Sequence, residues 1–237
     1  MAAPIIYEDN QILVCYKREG VLSQEDISKD PDLLNELKEY IKVKYNKPGA
    51  VYLGLVHRLD RNTSGVMVFA RTSKAAARLS SQIKEHDGFN KKYLAVVEGK
   101  MTKGETKTLV NKLLKNEKEN KSYVSNSKDA KEASLEYKVL DSKSIEGKDY
   151  SLLDIRLLTG RHHQIRCQLS YIGHPIAGDM KYGAKRNGGN TYNLSSYSLT
   201  LSHPVSKEIM TFNYFIPNHL FKRFCDSKDF LKIFHLI

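Results

Sequence analysis

Two apolar runs of strand length, Val51-Tyr52-Leu53-Gly54-Leu55-Val56 and Val66-Met67-Val68-Phe69-Ala70, enclose a dense polar block, His57-Arg58-Leu59-Asp60-Arg61-Asn62-Thr63-Ser64-Gly65. Both runs are rich in β-branched and aromatic residues and read as buried strands. A plain turn between strands needs only a few residues of the Gly, Asn, Asp or Ser kind. It does not need Arg-Leu-Asp-Arg. A carboxylate on a loop between core strands, with cations beside it, is suited to remain ionised at neutral pH and to act as a nucleophile. The simpler reading is a structural ion pair between Asp60 and a neighbouring arginine, because such networks also perturb carboxylates.

The rest of the chain reads as a mixture of strands and helices. Ile5 to Tyr16 reads as a strand, a turn at Glu8-Asp9-Asn10, and a second strand at 12–16. Asp30-Pro31 suits the start of a helix whose Leu33, Leu34, Leu37, Tyr40 and Ile41 make one apolar face. Ser73 can cap a second helix, with Ala76, Leu79 and Ile83 inward and Gly88 at its end. Strands are expected at 91–99, 106–114, 132–140, 150–158, 194–201 and 208–215. Residues 115–131 are rich in Lys, Asn, Glu and Ser, and are expected to form an exposed hairpin or a partly disordered loop. Ile165, Leu169 and Ile172 make an apolar helical face closed by Gly173, with Arg161, His162 and Arg166 away from it. A short amphipathic helix with Phe230, Ile233 and Phe234 ends the chain. These elements imply an α+β fold: a single mixed domain over residues 1–237, with a large, mostly antiparallel sheet flanked by helices and an exposed basic loop at about 112–131.

Charge narrows the partners. The 38 Lys and Arg residues exceed the 27 Asp and Glu residues, a formal charge of +11, which favours a polyanion. No apolar run approaches the roughly 20 residues of a membrane span, so RNA or DNA is expected rather than a membrane. Cys15, Cys167 and Cys225 are far apart and have no metal-ligand spacing, so reduced thiols and no metal are expected. The N-terminus lacks the pattern of a signal peptide, and a cytoplasmic monomer is expected.

The block His57-Arg58-Leu59-Asp60-x-x-Thr63-Ser64-Gly65 resembles the signature of the RluA family of RNA pseudouridine synthases. Lys91-x-Tyr93-Leu94-Ala95-Val96-Val97-Glu98-Gly99 is similar to that family's second motif. Thr159-Gly160-Arg161-x-His163-Gln164-Ile165-Arg166 is similar to the third. Pro175-Ile176-Ala177-Gly178-Asp179-x-x-Tyr182-Gly183 and the opening Tyr7-Glu8-Asp9-Asn10-x-Ile12-Leu13-Val14 also fit. Three positions depart from the family pattern. Lys17-Arg18-Glu19-Gly20 replaces Lys-Pro-x-Gly, His162 stands where Thr or another polar residue is more usual, and the late His-Ala pair is replaced around Ser195-Ser196. An N-terminal RNA-binding extension of the S4 type is not expected.

The resemblance implies isomerisation of uridine to pseudouridine within ribosomal or transfer RNA. The glycosidic C–N bond breaks, the uracil turns while bound, and a C–C bond forms. Asp60 is the implied nucleophile; attack on the sugar carbon and prior abstraction of a sugar proton both stay open. Arg58 is implied to fill the space left by the flipped base, Tyr93 to stack on the uracil, and Arg166 to pair with Asp60. An ordinary phenol, with a pKa of about 10, is a weak base at neutral pH, so stacking is the stronger role for Tyr93. Arg61, Thr63, Lys91, Arg161 and His162 complete the RNA-contacting candidates. The reaction needs no redox, phosphoryl or metal step, so no cofactor is expected. Two alternatives remain: an RNA-binding protein without activity, and a uridine N-glycosidase that releases uracil. The joint presence of Asp60, Tyr93 and Arg166 argues against the first, and retained RNA mass distinguishes isomerisation from the second.

Overall fold

The chain opens on an antiparallel pair, β1 (Ile5–Glu8) and β2 (Ile12–Lys17). Asp9 closes the turn between them, its Oδ1 accepting from the Gln11 and Ile12 amides at 2.7 and 2.8 Å. In this computed structural model, residues 3–85, 88–185 and 192–234 are described. They form an α+β fold built on a large, mostly antiparallel sheet, as expected. The chain comprises two compact units, Met1–Lys91 with Ser196–Phe215, and Lys92–Ser195 with Ile216–Ile237.

In the first unit, α1 (Leu33–Lys44) buries Leu33, Leu37 and Ile41, one residue per helical turn along one face. Its cap is Asp32 rather than Asp30: the Asp32 side chain accepts from the Asn35 amide at 3.0 Å. Asp30 instead forms an ion pair with Arg61 at 2.7 Å. Of the apolar run 51–56, only β3 (Gly54–Leu55) is strand, and Tyr52 is exposed. The next strand, β4 (Ser64–Ala70), is as expected and lies antiparallel to β2. Thr72 caps α2 (Ser73–Glu85), one residue earlier than the expected Ser73, by accepting from the Ala75 amide at 3.1 Å. Ala75 and Leu79 are buried, while Ala76 and Ile83 pack partly against the same cluster of Ile12, Val14, Val66 and Val68.

The second unit carries β5 (Asn90–Glu98), β6 (Thr106–Asn116), β7 (Lys121–Val124), β8 (Lys131–Ile145) and β9 (Lys148–Leu157), in the order β5-β9-β8-β6-β7. The basic segment is therefore a formed hairpin, with Leu113 opposite Val124 and Asn116 opposite Lys121. Helix α3 (Gln164–Tyr171) ends in a Schellman motif: Gly173, at φ +86°, donates to Ser170 O, and His174 donates to Leu169 O.

Strands β10 (Leu194–Ser202) and β11 (Ile209–Asn213) pair antiparallel. A short helix, α4 (His219–Lys222), precedes the expected C-terminal helix, α5 (Lys228–Ile233), which buries Phe230 and has Phe234 at its C-cap; residues 235–237 lie outside the described residues. No described helix is long and apolar enough to cross a membrane.

Candidate active site

Asp60 sits on the loop 56–63 that joins β3 to β4, and both of its chain neighbours are fastened. On one side, the buried Ser23 hydroxyl donates to Leu59 O at 2.8 Å and accepts from Leu59 N at 3.2 Å. On the other, Arg61 O accepts from Gly20 N at 2.9 Å and from Lys17 Nζ at 2.8 Å. Asp60 O itself accepts from Thr63 N at 3.0 Å, which closes a turn over the buried Thr63. Lys17 has no exposed surface, and its ammonium also donates to Arg18 O and Val21 O at 3.1 and 2.7 Å. Burial lowers the Lys17 pKa to about 7, while the charges of Asp60 and Glu19 act to raise it. Lys17 thus fixes the departed Arg18-Glu19 turn and the Asp60 loop at once.

The rest of the block is divided between scaffold and surface. His57 Nε2 accepts from Val68 N at 3.1 Å, continuing β3 with a side chain. Desolvation lowers its pKa to about 3, with the nearby Lys91 charge a further cause, so the ring is neutral at physiological pH. Arg58 is exposed. Arg61 is exposed and committed to Asp30 and to Gly20 O. Lys91 is half-buried, with Nζ 5.9 Å from the Phe89 ring centre, and desolvation lowers its pKa to about 8. Gly65, at φ +140°, lies so close to Ser196 that a Cβ would meet its main-chain oxygen at 2.3 Å.

In the second unit, Tyr93 is buried on β5. Arg166 is not on an exposed helix face. It is 6% exposed, within a run of buried residues from Gln164 to Leu169. A fork with Asp179 holds it, Nε to Oδ2 at 2.6 Å and Nη2 to Oδ1 at 2.8 Å. Its guanidinium carbon lies 4.9 Å from the Tyr182 ring centre and 4.4 Å from that of Tyr192. The sequence named Asp60 as the partner of Arg166; within its own unit the partner is Asp179.

The candidates just before α3 have separate roles. Arg161 is exposed, and its Nε donates to Glu132 O at 2.8 Å. His162 stacks on His163 with ring centres 3.8 Å apart. The Ser122 hydroxyl donates to His162 O at 2.7 Å and meets His162 Nδ1 at 2.9 Å. His163 caps α3 in the left-handed region at φ +49°, without a side-chain cap bond. Non-glycine residues in that region cost energy and cluster near functional sites.

Lys17, Ser23, Asp179 and Tyr182 were given no role by sequence reasoning. Asp179 and Tyr182 do stand in the quoted 175–183 motif, and Lys17 begins the Lys17-Arg18-Glu19-Gly20 stretch that departs from the family pattern, so the signal was present as unexplained polar residues. Among the described residues, no group of three His, Cys, Asp or Glu residues could hold a metal ion.

Residues 11–171 match the family described as RNA pseudouridylate synthase, and the chain belongs to that family. It is 34% identical over 210 residues to ribosomal large subunit pseudouridine synthase D of Borreliella burgdorferi, covering 86% of this chain and 61% of that one. The synthase of the same name from Vibrio cholerae is 31% identical, over 91% of this chain and 68% of its own length. Ribosomal large subunit pseudouridine synthase C of Escherichia coli is 33% identical, over 89% and 65%. The chain thus spans about two thirds of the length of these relatives. The solved human RNA pseudouridylate synthase domain containing 4 shares the fold, with a TM-score of 0.74 at 21% identity over 94% of this chain and 92% of that one. Human RNA pseudouridylate synthase domain containing 1 gives 0.72 at 24%, over 91% and 84%.

Proposed function

We propose that this chain isomerises uridine to pseudouridine in RNA, with Asp60 as the nucleophile. The observation that carries this reading is the Asp60 loop, gripped through Leu59 by Ser23 and through Arg61 by Lys17, within a chain that matches the family over residues 11–171. A loop fixed at both neighbours holds a nucleophile in register with a bound base, which is what proximity catalysis requires.

The atoms balance without an external reagent. The N1–C1′ bond breaks, the uracil turns, and C5 bonds to C1′. C5 loses a proton and N1 gains one, so the mass of the RNA is unchanged. The target leaves its stack at a cost of a few kcal/mol, and Arg58 enters the space it leaves. Tyr93 stacks on the uracil, and Arg166 supplies a cation to the reaction. Arg61, Lys91, Arg161 and His162 hold the flanking RNA, whereas Thr63, at 2% exposure, serves the Asp60 loop as scaffold.

Large-subunit ribosomal RNA is the substrate we favour, because the relatives at 31–34% identity carry that substrate in their names. Transfer RNA is the other outcome of the test. Pseudouridine mapping of all RNA from cells with and without the gene decides between them. Wild-type protein should restore at least one site in large-subunit ribosomal RNA, and Asp60→Asn none. An unchanged map in the deletion would overturn the proposal.

A further inference from the structure

Arg166 is a cation in a buried setting, and an unpaired charge there would be costly. Asp179 meets that demand with two parallel hydrogen bonds, at 2.6 and 2.8 Å, and is itself 2% exposed. The fork takes Nε and Nη2, and it fixes the plane of the guanidinium as well as its position. The Tyr182 and Tyr192 rings then bound the arginine at 4.9 and 4.4 Å.

Asp179 is held firmly enough to serve as a reference point. It follows Gly178, at φ +87°, and heads the 3-10 turn Met180–Tyr182. Its amide donates to Ile176 O at 2.9 Å, and its own main-chain oxygen accepts from Tyr182 N and Ala184 N. The turn is stitched to the strand of Tyr93: Ala177 N donates to Val96 O at 2.8 Å, and Glu98 N donates to Pro175 O at 2.9 Å. Tyr182 is anchored at both ends. Its hydroxyl accepts from Ser122 N, on the basic hairpin, at 2.8 Å. Its main-chain oxygen accepts from the Ser170 hydroxyl of α3 at 2.6 Å.

We propose that Asp179 is a positioning residue: it aims the guanidinium of Arg166, with Tyr182 and Ser122 bracing the arrangement, and so acts on the reaction through Arg166 rather than by touching RNA. The inference rests on the isomerase reading above, with Arg166 in the reacting site.

The test is single-turnover tritium release from [5-³H]uridine-labelled large-subunit ribosomal RNA transcript, with RNA affinity measured in parallel. Asp179→Asn should slow release by tenfold or more while affinity stays within twofold. In an Arg166→Lys background the same change should slow release by less than twofold further, because the guanidinium plane it aims is already gone. A residue that only supports the fold would instead lower melting temperature, and its effect would multiply with that of Arg166→Lys. Should Asp179→Asn fail to fold, Asp179→Glu keeps the charge and displaces the fork by one methylene, and the same tenfold slowing is expected. A wild-type rate in the variant that folds, or full multiplication of the two effects, would overturn the positioning role. Wild-type protein without tritium release on either this RNA or [5-³H]uridine-labelled transfer RNA would overturn the functional reading first, and the positioning role with it.

Discussion

The buried ammonium of Lys17 donates to the main-chain oxygen of Arg61, 2.8 Å away, and so ties the end of β2 to the residue that follows Asp60. The same group holds Arg18 O and Val21 O. In Lys17→Met all three acceptors lose the ammonium, and Arg61 O keeps the Gly20 amide; the cost is about 1–3 kcal/mol for each buried group left unsatisfied. Denaturant unfolding should show a loss of about 2–4 kcal/mol. Activity at a temperature where the variant is folded should also drop, because Arg61 O loses the Lys17 donor and is held by the Gly20 amide, so the Asp60 loop is gripped less firmly. Wild-type stability in this variant would remove Lys17 from the account.

Ser23 grips Leu59 through both its amide and its carbonyl. Ser23→Ala leaves the fold in place and frees the residue before Asp60. Turnover should fall several-fold with RNA affinity unchanged, and stability should drop by about 1–3 kcal/mol. Equal loss of affinity and turnover would assign Ser23 to RNA binding instead.

Gly65 is a position where a side chain has no room. At φ +140° a Cβ would meet Ser196 O at 2.3 Å and Ser196 N at 2.6 Å, and main chain cannot yield as a flexible side chain does. Gly65→Ala should cost more than about 3 kcal/mol, beyond an ordinary overpacked site, and give insoluble protein. Soluble Gly65→Ala with wild-type melting would contradict this.

The sequence made the strands legible because their apolar runs are long and local: β2, β4 and β5 lie where Ile12-Leu13-Val14, Val66-Met67-Val68 and Leu94-Ala95-Val96 place them. It erred where a distant partner decides. Asp30 and Asp32 are equivalent caps on local grounds, but Arg61 engages Asp30. The run 51–56 has strand composition, yet the His57 ring takes the Val68 amide that a longer β3 could have engaged. Helix periodicity read Ile165 and Leu169 as the core face and left Arg166 outside. Its burial depends on Asp179, and that of Gln168 on the carbonyls of Leu109 and Ala133. Such pairings leave no period in the sequence.

Lys91 offers a pH test. Its ammonium titrates near 8, lowered by desolvation, whereas ordinary lysines titrate near pH 10.4. The cation that attracts phosphate is therefore present below about pH 8 and lost above it. RNA affinity should weaken a few-fold between pH 7 and pH 9, and Lys91→Gln should flatten that slope. A slope unchanged by the substitution would take Lys91 out of the RNA contact.

The basic hairpin exposes Lys112, Lys115, Lys118, Lys128 and Lys131, whereas Lys121 lies over the Tyr123 and Tyr182 rings at 5.0 and 5.1 Å. If the exposed five meet roughly three phosphates, their replacement by Gln should flatten the slope of log affinity against log salt by about 2. Lys121 is left in place because it belongs to the packing around Tyr182. An unchanged slope on a structured RNA would make the hairpin a support for α3 alone.

The nucleophilic role of Asp60 is tested most directly by Asp60→Asn, which keeps the volume of the side chain and removes its charge. Single-turnover tritium release from [5-³H]uridine-labelled large-subunit ribosomal RNA, read beside binding of the same RNA, should show release abolished and affinity kept within a few-fold of wild type. Release at a rate near that of the wild type would contradict the assignment.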